Sequence, residues 1–181
     1  MRLLWMLLLL LAGLIGGFEL AQFVPRGGST TTITVFNDWR LVCPPPGPQG
    51  CELNQNLIDG RSGQAVARIL VSGSSPHRVT LLLPYNLALD AGAAIAANGG
   101  TPEVLPYESC QGEGCIARAT LDAAREDNMR SGGQGRIGAL DLAGKPVVLP
   151  FSLRGFADGV DALERAEARR TEWWARLIPA F

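Results

Sequence analysis

The chain has 181 residues, 47% of them hydrophobic and 18% charged, and its 16 lysines and arginines against 17 aspartates and glutamates leave a net charge of −1. That balance lacks the basic excess of a nucleic-acid-binding protein. The 22 glycines and 12 prolines lie between short apolar runs and predict many turns joining short strands, with no internal repeat.

Residues 3–18 read LLWMLLLLLAGLIGGF, between Arg2 and Glu19. A helix of this composition has no polar face to turn toward water. At about 1.5 Å rise per residue the run is about 24 Å long, and continuing it to Val24 makes up the roughly 30 Å of a bilayer's hydrocarbon core. Leu3, Trp5, Leu8, Leu11, Ile15 and Phe18 are the expected membrane-anchoring residues, with lipid as their partner. A signal peptidase requires small residues at A-x-A spacing after the apolar run. Here Ile15-Gly16-Gly17 places a bulky residue at the first position, and Glu19-Leu20-Ala21 a charged one. The expectation is therefore a retained signal anchor over residues 1–24, with the start cytoplasmic as Arg2 favours. Cleavage as a signal peptide is the alternative, and either route exports the remainder.

Residues 25–29 (PRGGS) form a linker to a domain expected over residues 30–156. It opens with TTTITVF, a β-branched run of high strand propensity. A turn at Asn37-Asp38 precedes an extended stretch over residues 39–43. The PPPGPQG segment at 44–50 excludes helix and central strand, because proline fixes φ and removes donors. Residues 51–57 alternate, with Cys51, Leu53 and Leu57 on one face and Glu52, Asn54 and Asn56 on the other. Gln55 is the single polar residue on the apolar side. Ala65, Ala67, Ile69 and Val71 form the next inward row, and residues 78–83 make a strand that Pro84 stops. Residues 87–95 read as extended and irregular, and 115–121 as another alternating strand. Residues 122–130 are the only helical turn expected inside the domain, with Asp122 as N-cap. Strands at 136–140 and 147–153 complete an all-β sandwich or barrel.

The four cysteines fall as two close pairs, Cys43/Cys51 and Cys110/Cys115, each enclosing a Pro- or Gly-rich loop. In an exported chain such pairs are disulfides. Three connectivities can be drawn, and local pairing needs the least rearrangement. The alternatives are a redox site or a zinc site of four thiolates, but neither spacing is C-x-x-C. No metal, cofactor or small-molecule substrate is expected. His77, the only histidine, reads as a surface loop residue with no carboxylate neighbour in sequence. No G-x-S-x-G elbow, Walker loop or G-x-G-x-x-G follows a strand. Glu103, Glu108 and Glu113 show no pairing that suggests an acid/base dyad. The sequence points away from catalysis.

The C-terminal region, residues 157–181, reads as an amphipathic helix, with Leu163, Ala166, Arg170, Trp173/Trp174, Leu177 and Phe181 in one stripe. Asp161 with Arg165 and Glu172 with Arg176 are expected surface pairs at (i, i+4) spacing. Trp173, Trp174, Leu177, Ile178 and Phe181 concentrate aromatic and apolar surface at one end. Such surface is expected to be covered by the domain itself, by a partner protein or by the membrane interface.

Three groups of residues together carry a family resemblance. They are Asp38-Trp39 with Cys43, Cys51 and then Leu83-Pro84; Tyr107-x-x-Cys110 with Gly114-Cys115-Ile116-Ala117; and Phe151-Ser152-Leu153-Arg154-Gly155-Phe156 with Gly159 and Ala162-Leu163. They resemble the invasion-associated locus B family of exported alphaproteobacterial proteins, over about residues 36–163. The resemblance implies an immunoglobulin-like antiparallel β-sandwich, periplasmic or at the cell surface, with no known catalytic activity. Asn86 stands where that family usually has a glycine, and the chain runs past the family's usual end. A retained anchor with an aromatic C-terminal segment leads to the expectation of a periplasmic binding or structural module fixed to the inner membrane. In a sharper form it is an accessory subunit of a respiratory or photosynthetic complex, with a membrane protein as partner. A secreted or surface-associated adhesion/invasion factor is the alternative.

Overall fold

A computed structural model describes residues 30–60 and 62–171. The anchor residues Leu3, Trp5, Leu8, Leu11, Ile15 and Phe18 lie outside the described residues, as do Trp173, Trp174, Leu177, Ile178 and Phe181. Among the described residues no helix is long and apolar enough to cross a membrane.

The described chain is predominantly β and entirely antiparallel. Its strands are β1 (Thr32–Phe36), β2 (Trp39–Cys43), β3 (Glu52–Ile58), β4 (Ala65–Ser72), β5 (Arg78–Leu83), β6 (Ala93–Ala97), β7 (Glu103–Leu105), β8 (Tyr107–Gln111), β9 (Gly114–Thr120), β10 (Gln134–Leu140) and β11 (Pro146–Ser152). Two helices join them, α1 (Ala123–Arg130) and α2 (Phe156–Thr171). One sheet has the order β1-β2-β3-β4-β5-β9-β8 and the other β11-β10-β6-β7. In the first sheet Leu53, Leu57, Ala67, Ile69 and Val71 are buried as expected, and so are Val79, Leu81 and Leu83. Ala65, expected in the inward row, is exposed because it lies at the open start of β4, and Asn54, expected to face outward, is buried. Segment 87–95 resolves into a 3-10 turn (Leu89–Ala91) and the start of β6, which belongs to the second sheet. Asn86 adopts φ +68°, a left-handed conformation that asparagine tolerates better than other non-glycine residues, so this departure from the family pattern is accommodated. Asp122 caps α1, accepting a 2.8 Å hydrogen bond from the Arg125 amide.

One core takes side chains from both sheets and both helices, including Leu53, Ile69, Ile95, Ile137, Met129, Phe156 and Leu163. The sheets are also joined by polar contacts where β3 meets the end of β11. The Gln55 side chain on β3 reads the backbone of Ser152 on β11, with Nε2 donating to its carbonyl at 3.2 Å and Oε1 accepting from its amide at 2.9 Å. Nε2 also donates to the Asp38 carbonyl at 3.1 Å. The polar residue out of place in the β3 alternation is thus paired much as a neighbouring strand would be, which removes the cost of burying an amide. Trp39 Nε1 donates to the same Ser152 carbonyl at 2.9 Å, and the Trp39 ring meets Phe156 edge-on at a centroid distance of 5.1 Å. Arg154 pairs with Asp38, Nε to Oδ2 at 3.0 Å. Between them Gly155, at φ +85°, brings its backbone so close to the 36–38 turn that a Cβ would lie 2.1 Å from the Phe36 carbonyl oxygen.

Both disulfides form with the local pairing, Cys43–Cys51 and Cys110–Cys115. Cys110 and Cys115 face each other across the β8–β9 hairpin, and Cys43–Cys51 closes the loop between β2 and β3. Helix α2 begins at Phe156, slightly earlier than expected, and lies over β1, β2 and β3. Its Leu163 and Ala166 pack on the core. Arg170 donates to the Pro44 carbonyl at 2.8 Å and to the Gln49 carbonyl, and Glu167 accepts from the Cys51 amide. The expected Asp161–Arg165 pair is replaced by a contact of Asp161 with Arg130 on α1, because α1 packs beside this face of the helix.

Replacing Gly155 with alanine should lower stability by about 3 kcal/mol, since the left-handed backbone and the close carbonyl both oppose a Cβ. A denaturant midpoint equal to the parent's would contradict this. Replacing Cys110 and Cys115 together with serine should cost about 2 kcal/mol on the loop-entropy estimate, read as a lower Tm with localisation unchanged. An unchanged Tm would show that the bridge contributes nothing.

Candidate functional site

The two disulfides sit toward opposite ends of the seven-stranded sheet, one at β2–β3 and the other at β8–β9. The structure therefore does not bring the four sulfurs together, and none is a free thiol. A zinc site of four thiolates is excluded by this placement.

The polar cluster of chemical interest is elsewhere and centres on His77. Against expectation this histidine is not on the surface: it is fully buried. It precedes β5, and its carbonyl accepts a 2.7 Å bond from the Leu121 amide, which ties the strand start to the entrance of α1. Nδ1 lies 2.8 Å from Glu126 Oε2. On the other side of the ring, Nε2 is 3.7 Å from Glu164 Oε1 on α2 and has no hydrogen-bond partner. Glu126 Oε1 accepts a 2.8 Å bond from Arg130 Nε, and Arg130 Nη1 reaches Asp161 Oδ1 at 2.6 Å. The network thus runs Glu164, His77, Glu126, Arg130, Asp161, and links β5, α1 and α2.

Position in the fold explains each member. Helix α1 is short and polar, with Glu126 and Met129 its only buried residues, so ionic contacts dock it as much as apolar ones do. Glu126 and Arg130 are one turn apart and meet on one face. Burial pushes the Glu126 carboxyl up, but hydrogen bonds and charge from His77 and Arg130 outweigh this and hold it below its ordinary value. Burial pushes the Arg130 guanidinium down, while Asp161 and Glu126 together carry it above its ordinary value.

A histidine oriented by a carboxylate recurs in catalytic triads, but among the described residues no hydroxyl or thiol is bonded to Nε2. The partners of His77 were not visible in sequence because Glu126 lies 49 residues further on and Glu164 beyond that. One signal was present. His77, Val79, Leu81 and Leu83 share one phase of the strand alternation, and Val79, Leu81 and Leu83 form its inward row.

With the fold in place, comparison with known proteins decides the family. The model for invasion associated locus B proteins matches residues 39–164. The chain belongs to that family. It is 25% identical over 142 residues to invasion protein B homologs of Brucella abortus strain 2308 and of Brucella abortus biovar 1 strain 9-941, covering 76% of this chain and 82% of each relative. Its fold is similar to the crystal structure of invasion associated protein B from Bartonella henselae, with a TM-score of 0.65 at 17% identity, over 73% of this chain and 95% of that one. The match to the invasion associated locus B family covers the Trp39–Ser152–Phe156 junction, both disulfides and the His77 network.

The depressed Glu126 carboxyl sets a pH dependence. A carboxyl whose pKa is lowered on folding contributes stability above its unfolded value, about 4.3, and loses that contribution as pH falls through the lower folded value. Glu126→Gln should therefore be less stable than the parent at pH 7, with the gap narrowing as pH falls through the unfolded value and below it. Urea midpoints across that range test it, and a constant gap would contradict it.

Proposed function

We propose that this chain is a non-catalytic binding or structural module of the invasion-associated locus B family, exported and held at the periplasmic face of the inner membrane by its apolar N-terminal run. In this reading the two sheets form the immunoglobulin-like sandwich that the family resemblance implies. The observation that carries the proposal is the pair of hairpin disulfides, which suit an oxidising compartment and leave no free thiol for redox or metal chemistry. Support for a docking role comes from α2. Its inner stripe is bound to the body through Leu163, Glu167 and Arg170, and the sequence then continues into Trp173, Trp174, Leu177, Ile178 and Phe181. These residues are proposed to dock on a membrane-protein partner, with the chain acting as an accessory subunit of a complex.

The names of the Brucella relatives, invasion protein B homologs, favour a second reading. In it the leader is removed and the body acts as a secreted or surface-associated adhesion/invasion factor.

Intact-mass measurement on the membrane fraction distinguishes them. The first reading expects the full chain of 19.3 kDa; an N-terminus near Phe18 or Gln22 favours the second. Native gels in mild detergent should show a larger complex for the full chain, lost on truncation after Thr171, which keeps the Glu167 and Arg170 contacts. Migration of both forms as monomers would remove the accessory-subunit reading.

A further inference from the structure

We propose that His77 and Glu164 form a binding site for a divalent transition cation, with zinc the best match, that pins helix α2 to the start of β5. Three features meet there. The buried Nε2 atom has no hydrogen-bond partner, a cost that a buried ring nitrogen ordinarily avoids. The other ring nitrogen, Nδ1, sits on the Glu126 carboxylate at 2.8 Å. A metal-bound histidine characteristically has its second nitrogen held this way, fixing the tautomer and turning the free nitrogen toward the ion. Finally, the atom facing Nε2 is Glu164 Oε1 at 3.7 Å. Zinc bonds of about 2.0 Å to imidazole nitrogen and about 2.1 Å to carboxylate oxygen sum to about 4.1 Å, so an ion seats between the two atoms at an angle somewhat wider than tetrahedral.

Charge supports a divalent occupant. The network contains three carboxylates, Glu126, Asp161 and Glu164, and one guanidinium, Arg130. With His77 neutral, as a ligand must be, that is −3 + 1 = −2. Glu126 and Asp161 are already engaged by Arg130, which leaves Glu164, half-exposed on α2, as the carboxylate free to move onto an ion. Water would complete the coordination from the solvent side. The nitrogen and carboxylate donor pair suits zinc better than magnesium or calcium, which take oxygen ligands. Because all four cysteines are in disulfides, no thiolate in the chain competes for the metal.

The test uses the full chain in detergent, stripped with chelator and titrated with zinc chloride. One zinc per chain and a Tm raised by several degrees are expected at zinc well above Kd. Glu164→Gln, on a half-exposed side chain, should fold normally, abolish the rise in Tm and weaken zinc binding at least tenfold. Glu126→Gln should weaken it about 10- to 100-fold through the orienting hydrogen bond. His77 is the only histidine, so imidazole nitrogen NMR reports this residue alone. Zinc should shift the Nε2 resonance and leave Nδ1 protonated toward Glu126. An Nε2 signal unmoved by zinc, or zinc bound by Glu164→Gln as tightly as by the parent, would overturn the site.

Discussion

The contact on which the architecture turns is the Gln55 side chain laid against the backbone of Ser152. The two sheets share no strand, so their mutual register is set by side chains and not by a backbone ladder. A side-chain amide that both donates to and accepts from one peptide unit has a single register in which it is satisfied, and in any other it leaves buried polar groups unpaired. The Trp39 indole, donating to the same carbonyl, reinforces that register. The Ser152–Phe156 segment then has to leave β11, reverse beside the 36–38 turn and start a helix within four residues. Gly155 permits the reversal, Arg154 holds Asp38, and Phe156 places the first turn of α2 on the Trp39 ring. The Asp-Trp and Ser-Leu-Arg-Gly-Phe segments thus form one structural unit, although more than a hundred residues separate them.

Much of this was legible in the chain, for physical reasons that differ by element. Strand alternation reports burial directly, so most of the inward rows of β3 and β4 could be read from single residues, failing at Ala65 on the open start of β4 and at Asn54, which is buried. The disulfides were legible because, of three connectivities, local pairing needs the least rearrangement, and the α1 cap because Asp122 acts on its own helix. The assignment of strands to two sheets was not, since β6, β7, β10 and β11 look locally like the others and their grouping depends on crossovers. Gln55 appeared as an exception in an apolar row, and only its partner on β11 gives the exception a reason.

His77 shows the same limit at the polar cluster. Searching for acids near it in sequence tests the wrong distance, because the helices that supply Glu126 and Glu164 reach it only in the folded chain. Asp161 is a related case. Four-residue spacing favours Arg165 on an isolated helix, but such a pair is worth only a few tenths of a kcal/mol. A second helix carrying Arg130 into reach outweighs it, because Arg130 is partly buried and already committed to Glu126.

Helix α2 is where these separate constraints meet. Phe156 fixes its start to the junction of the two sheets, Glu164 faces the polar cluster at its middle, and Glu167 with Arg170 holds the loop closed by Cys43–Cys51. The loop in turn is rich in proline and exposes carbonyls that no strand satisfies, so the arginine supplies donors that the loop itself lacks. A helix held at three points along its length cannot pivot without disturbing the core, the half-exposed ion pair of Asp161 with Arg130 or the bridged loop. Up to Thr171 the helix is therefore held to the body as one rigid element.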